Sequence, residues 1–425
     1  MFWRADFQEF GDIRYKPFGD GSTYSRYSQD VIIYKYIVSV NYIFQNIIHD
    51  AFWRKSERTG SEPEKKTKKW NPRKTLEGEN KMENYDQLEV GQANIRVIGV
   101  GGAGGNMTNW LYMKGIQGAE ILACNTDQQA LNVIEADKKF LLGRDVTKGL
   151  GAGGYPEKGA EAAQESLASI KEALKGSDMV FVCAGMGGGT GTGAAPLVAQ
   201  VAKDAGAIVI GTVTMPFKIE RARVDKAEFG LQQLRKQSDT VIVIDNNRLV
   251  QIAGNLPVQQ AFAVANELVA TMIKGIVETI AVPSLVNLDY ADVKAVMTNG
   301  DVAAIGVGAS DTNNRVEEAV KGALSNPLLD ISYQGASGAI IQIHGGQDLT
   351  LDEINKIGEL VTESMDEDAN VIWGARVTDE MKGKLTVMTI ITGVKSPWIL
   401  GRPSAKHAET ARQRLSSELG IEIVK

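Results

Sequence analysis

Gly185-Met186-Gly187-Gly188-Gly189-Thr190-Gly191-Thr192-Gly193 is the stretch on which the fold of this chain turns. The residues before it, Met179 to Ala184, are an unbroken apolar run of the kind that forms a buried strand, and Ala194 to Val201 opens a helical pattern. A strand, a loop of small residues and a helix are how a backbone wraps a phosphate. Glycines let amide groups approach the anion with no Cβ in the way, and the helix N-terminus adds a favourable dipole. Thr190 and Thr192 add hydroxyl donors. An ordinary turn needs one or two glycines. Six in nine positions point to a phosphate site rather than a tight structural crossover.

A second glycine loop lies upstream. Ile95 to Val100 reads as a first strand and runs into Gly101-Gly102-Ala103-Gly104-Gly105-Asn106, with a helix expected from about Met107. Gly99 to Gly104 matches G-x-G-x-x-G, the dinucleotide fingerprint. Asp127, after a second strand at Glu120–Cys124, is a tolerable ribose ligand for that reading, so an NAD-dependent oxidoreductase stays open as a rival. A third loop, Leu150 to Pro156 with Gly153 and Gly154, weighs against it. A dinucleotide needs one diphosphate loop, whereas several loops converging on one ligand suggest a triphosphate. The P-loop pattern G-x-x-x-x-G-K-[ST] is absent from the loops at Gly101 and Gly185. With no lysine placed there, backbone amides and a metal must neutralise the charge.

The run Gly187 to Gly193 resembles the signature of the FtsZ/tubulin GTPases. Gly101 to Asn106, Asn125 to Asp127, Gly151 to Pro156, Thr214 to Phe217, Asn246, Phe262, Asn266 and Asn287 to Asp292 follow in the order that this family has. The resemblance spans about residues 92–396 and is closer to FtsZ than to tubulin. Glu220-Arg221-Ala222-Arg223 is similar to an archaeal branch. It implies GTP or GDP as ligand, with Mg²⁺ bound mainly through the phosphates. It implies guanine recognition by Asn246 and Asn266, with Phe262 stacking on the base. A lone Phe-x-x-x-Asn would otherwise read as a core Phe with a polar neighbour. Glu220 resembles the ribose ligand. The family's arginine four residues later is Val224 here, so Arg223, or its neighbour Arg221, takes the sugar or phosphate contact.

Hydrolysis needs a group that orients water. The glycine loops contain no carboxylate, and Asp127 is the nearest acid in sequence. Asn287, Asp289 and Asp292 form a polar cluster after a long helical pattern, with both acids on one face of a helical turn. Paired carboxylates can hold and polarise a water beside a Mg²⁺-bound phosphate. By helix rise they lie about 30 Å from the start of that helix. The resemblance implies that they enter the site of the next subunit, and a head-to-tail contact of this kind builds filaments. The plainer reading is a helix N-cap by Asp289 or Asn287.

Length and composition fit two domains in an ordinary globular chain. Residues 1–81 hold 15 Lys or Arg against 11 Asp or Glu; the remainder carries −10, which argues against nucleic-acid binding. Cys124 and Cys183 sit in apolar strands and read as core residues in a reducing compartment. His49, His344 and His407 are scattered, so no metal cluster is expected. No signal peptide is expected at Met1, and Val31 to Ile48 carries too many polar residues for a membrane span, though a membrane-surface helix fits it.

Five domains or segments are expected. Residues 1–91 form a disordered extension, or upstream sequence not normally part of the protein. Strands and helices alternate over residues 92–258, which makes a Rossmann-like parallel-sheet domain, the GTPase domain by what the resemblance implies. Residues 259–282 form a central helix, 283–396 a smaller α/β domain, and 397–425 a tail resembling a tethered binding peptide. The whole resembles the tubulin/FtsZ fold. The resemblance implies a cytoplasmic GTPase at the division site, polymerising with itself, and tethered through its tail to a membrane-bound division protein. A GTP-binding cytoskeletal homologue with little hydrolysis is the other member-like reading.

Overall fold

The computed structural model describes residues 93–395 apart from 283, 299 and 326–330. The expected extension (1–91), the 31–48 run within it and the tail (397–425) lie outside the described residues.

Ten strands form one sheet. Six of them, β1 (Ile95–Val100), β2 (Ala119–Asn125), β3 (Lys138–Leu141), β4 (Met179–Gly185), β5 (Ile208–Met215) and β6 (Thr240–Asp245), run parallel in the order β3-β2-β1-β4-β5-β6. The central strands are apolar end to end because helices cover both faces. Every residue of β6 is buried, and β4 is buried from Met179 to Ala184. The helices are α1 (Gly101–Lys114), α2 (Gln128–Asn132), α3 (Arg144–Thr147), α4 (Pro156–Glu165), α5 (Leu167–Leu174), α6 (Thr190–Asp204), α7 (Ala222–Gln237) and α8 (Asn246–Ala253). Strand order reverses between β1 and β4. Ligands on such sheets bind in the crevice outside the carboxyl ends at that point.

The long α9 (Val258–Ala281) follows. Leu268, Val269, Met272, Ile273, Ile276 and Val277 are buried along it, so it is apolar around much of its circumference. It is long and apolar enough to span a membrane, yet these six side chains belong to the core. Its polar Glu267 is tied to α1: Trp110 Nε1 donates to Glu267 at 2.7 Å, and Lys114 forms an ion pair with the same carboxylate and donates to Thr271 at 2.6 Å.

The second half holds α10 (Tyr290–Met297), β7 (Asp301–Ser310), α11 (Arg315–Leu324), β8 (Gly338–Gly345), α12 (Leu351–Thr362), β9 (Asn370–Val377) and β10 (Leu385–Thr392). β10 is antiparallel to β7 and β8, and β8 is parallel to β9. Among the described residues the two halves of the sheet join where β6 meets β7, at Thr240↔Asp301 and Val241↔Val302. The architecture is a Rossmann-like α/β layer, a long central helix and a smaller α/β layer.

Three local details depart from the sequence reading. The helix expected from about Met107 begins at Gly101, so the glycines form its first turns. Residues Gly159 to Leu174 read in sequence as one helix, but the structure divides them between α4 and α5 at Ser166, whose hydroxyl accepts from the Gly143 amide at 2.9 Å. The edge strand β3 was not foreseen, because Lys138 and Lys139 disguise it.

Candidate functional site

A cavity of about 260 Å³ opens at the switch point between β1 and β4. Val100, Gly102 and Ala103 line it from the first loop, and Gly185, Met186, Gly188, Gly189, Thr190 and Gly191 from the second. Thr214 and Pro216 come from the end of β5, and Glu220, Arg223 and Asn246 complete the wall.

Two helices begin at this wall. The N-cap residues of α1 and α6 are Val100 and Gly189, and neither offers a side-chain acceptor to the first-turn amides. Capping normally satisfies one or two of these orphan donors. Left without it, two positive dipole ends face one cavity, an arrangement that suits an anion. The glycines divide by what surrounds them. A Cβ on Gly102 or Gly188 would meet nothing within 4 Å, so these two leave open space at the wall. A Cβ on Gly104 would lie 2.1 Å from the Cys183 carbonyl oxygen, and one on Gly193 1.9 Å from that of Pro156. Those two serve helix packing.

Other expected residues lie behind the wall. Gly101 is buried against Gly191; Gly105 faces Ile134; Asn106 is exposed on α1. Gly187 donates its amide to Thr192 Oγ1 at 2.8 Å, so the buried Thr192 hydroxyl shapes the loop. Thr190 Oγ1 lies 2.6 Å from Thr126 Oγ1, which joins the loops after β2 and β4. Asp127 caps α2, accepting from the Gln129 and Ala130 amides at 2.9 and 3.1 Å. Gly153 and Gly154 belong to the neighbouring loop, not to the cavity lining.

Glu220 is held from two sides. It accepts from the Phe217 amide at 2.9 Å and from Arg223 Nη1 at 2.7 Å. Arg223 lines the cavity and Arg221 does not. Arg221 instead takes a strained backbone conformation, with φ 43°, at the turn into α7. Phe262 is half exposed near the start of α9 and meets Phe217 edge to face, with centroids 6.1 Å apart at 68°. Asn266 is one turn further along the same helix. Neither Phe262 nor Asn266 lines the cavity.

The acids lie elsewhere. Asp289 is the N-cap of α10 and accepts from the Asp292 amide at 2.8 Å; Asp292 accepts from the Asp289 amide at 3.3 Å. The plainer cap reading therefore describes their local bonding, which leaves other carboxylate oxygens free. Asn287 and Asp289 are exposed, and Asn287 bonds the Ser284 amide. Tyr290 Oη donates to the Asp178 carbonyl at 2.8 Å. Burial, with Asp178 and Asp239 nearby, pushes its phenol above the usual range, so it remains a donor. Asp178 precedes β4, whereas the cavity lies at the far end of that strand. The seven residues of β4 span roughly 23 Å. The acids and the cavity thus occupy opposite edges of one sheet.

Gly185 and Met186 belong to the loop read as a phosphate site, and Thr214 and Pro216 to a stretch read only for its order; Val100, at the end of β1, was not foreseen as wall.

The strand order β3-β2-β1-β4-β5-β6 is shared with dinucleotide-binding folds, so topology alone does not separate the two nucleotide readings. Comparison with known proteins does. Residues 94–254 match the Tubulin/FtsZ family GTPase domain, and residues 301–395 match the FtsZ family C-terminal domain. The chain belongs to the FtsZ family. Its FtsZ relatives include cell division protein FtsZ 2 of Methanocaldococcus jannaschii, 59% identical over 321 residues, covering 75% of this chain and 84% of the relative. Cell division protein FtsZ 2 of Haloferax volcanii is 51% identical over 329 residues, covering 77% and 82%. Among solved structures, an empty FtsZ dimer from M. jannaschii superposes with a TM-score of 0.67 at 47% identity, covering 72% of this chain and 90% of that one. A GTPγS-bound protofilament of CetZ2 from H. volcanii shares the fold, with a TM-score of 0.62 at 22% identity, covering 76% and 99%. The FtsZ GTPase domain makes this chain a guanine-nucleotide-binding GTPase, and the oxidoreductase reading is not favoured.

Proposed function

We propose that this GTPase, a polymerising cytoskeletal protein of cell division, finishes its catalytic site with acids from a second copy of itself. The observation that carries this is the separation just described: Asp289 and Asp292 sit at one sheet edge and the cavity at the other. Stacking copies head to tail brings the two edges together. Such a contact does not close on itself and propagates as a filament.

Within one copy, the amides of Gly102, Ala103 and Gly188–Gly191 take the phosphates, supported by the two uncapped helix starts. Asn246 and Asn266 read the guanine edge, and Phe262 stacks on the ring. Glu220 bonds the ribose, with Arg223 at the sugar or phosphate. Among the described residues no group of three His, Cys, Asp or Glu side chains can hold a metal ion. Mg²⁺ is held mainly through phosphate oxygens. Asp289 and Asp292 of the adjoining copy, with Asn287, orient and polarise the attacking water. Once the terminal phosphate has left, the contact weakens. The protein acts in the cytoplasm at the division site, and its tail binds a membrane-tethering division protein.

Phosphate release per subunit, measured over a range of protein concentrations, tests the shared site. Activity per subunit rises with concentration and nearly vanishes on dilution, in step with pelleting in GTP but not in GDP. Constant activity per subunit down to dilute monomer would overturn the reading.

A further inference from the structure

Lys226 lies on α7 one turn after Arg223, on the same helix face. Arg223 lines the cavity. Lys226 Nζ donates to the carbonyl oxygen of Gly154 at 2.7 Å and stands 5.4 Å from the centre of the Tyr155 ring. Lys158 lies over the same ring at 5.6 Å.

The loop that Lys226 touches is also held by backbone bonds, from the Gly151 amide to the Thr126 carbonyl at 3.0 Å and from the Tyr155 amide to the Ala152 carbonyl at 3.1 Å. Gly153 and Gly154 both have positive φ, 61° and 77°, a path that glycine follows without strain. Nothing lies within 4 Å of the position a Gly154 Cβ would take. The loop in turn abuts the cavity wall. A Cβ on Gly189 would lie 2.8 Å from Ala152 Cβ and 3.0 Å from the Tyr155 nitrogen. Gly189 is the N-cap of α6, the helix whose first-turn amides face the cavity. A chain of contacts therefore runs from the Lys226 ammonium through Gly154 and Tyr155 to Gly189.

The glycine loops contain no lysine of their own. We propose that Lys226 is a positioning residue for nucleotide binding: its ammonium pins the Gly154 carbonyl and so holds the Ala152–Tyr155 turn against Gly189. This rests on the guanine-nucleotide reading of the cavity. A charged donor to a carbonyl is stronger than a neutral one and fixes the loop with one bond. The Tyr155 face adds cation–π attraction. Because the cavity, Arg223 and Lys226 all involve α7, the same helix then sets the loop and one wall.

The test titrates GDP and a slowly hydrolysed GTP analogue against full-length wild-type protein and the K226M, K226R and K158M variants, with kcat and KM measured in parallel. K226M keeps the aliphatic stem but loses the ammonium, and its dissociation constant for the GTP analogue rises about tenfold. KM rises with it, while kcat at saturating GTP is retained. K226R restores most of the affinity because a guanidinium can still donate to Gly154. K158M, which loses only a ring contact, binds as wild type. Wild-type affinity in K226M, or an equal loss in K226R, would overturn the role of Lys226. Failure of the wild-type protein to bind guanine nucleotide would instead overturn the reading of the cavity itself.

Discussion

Gly102 and Gly104 stand two residues apart in the first turn of α1, yet alanine should act on them in opposite ways. Both replacements gain the same intrinsic helix preference, at most about 1 kcal/mol. They differ in what the new methyl meets. At Gly104 it would lie 2.1 Å from the Cys183 carbonyl oxygen and 3.0 Å from the carbonyl carbon, where ordinary contact begins at 3.4 Å. Helix and strand must part by more than an ångström, and overpacking of this kind costs about 1–3 kcal/mol. For a domain of this size the resulting gap in melting temperature between the variants is roughly 2–12 °C. At Gly102 the methyl meets nothing and projects at the wall of the cavity. Gly102→Ala therefore melts at or above the wild-type temperature without nucleotide, but holds an anion off the backbone and weakens GTP binding about tenfold, or ~1.4 kcal/mol. Scanning calorimetry and nucleotide titration on both variants separate the effects. Equal melting temperatures would refute the packing role of Gly104. Wild-type affinity in Gly102→Ala would refute the assignment of that surface to phosphate.

Asp289→Asn keeps an N-cap acceptor, since Asn caps about as well as Asp, but removes a charge. GTP binding should persist while turnover falls by about 10² or more; unchanged turnover in polymer would remove Asp289 from the chemistry. His344 is held below its usual value by burial and by Arg376, against a smaller pull from Glu380. Its folded pKa is depressed, so the unfolded chain takes up the proton first as pH falls through about 6.5, and stability drops there. Thermal melts between pH 5.5 and 7.5 should show that slope in wild type and a flatter one in His344→Gln. Burial pushes the Cys183 thiol up to about 12, and the Cys124 thiol higher still. Neither should react with a thiol reagent near pH 8 until the protein unfolds; rapid labelling of folded protein would contradict their burial.

The strands were legible because both faces of the sheet are covered. Thr240–Asp245 and Leu385–Thr392 stand out as apolar runs with the bounds the structure gives them. The edge strand was not, since two lysines at an exposed margin carry no such signal. The first turn of α1 was hidden for a different reason. Glycine is a poor helix former, and only the close approach of α1 to β4 makes it necessary there. The same ambiguity limits the site. Gly102, Gly188 and Gly189 do line the cavity, but sequence cannot distinguish a glycine that borders open space from Gly193, which leaves room for another helix. The capping bonds of Asp289 and Asp292 follow from their spacing and their remoteness from the start of α9 from helix rise, whereas the bond from Tyr290 to the Asp178 carbonyl carried no signal in sequence.

α1 connects two distant parts of the fold. One end starts at the cavity wall without a side-chain cap, and the other is clamped through Trp110 and Lys114 to the middle of the central helix. Fourteen residues make it a strut about 21 Å long. The wall of the pocket and the middle of the central helix are therefore the two ends of a single rod.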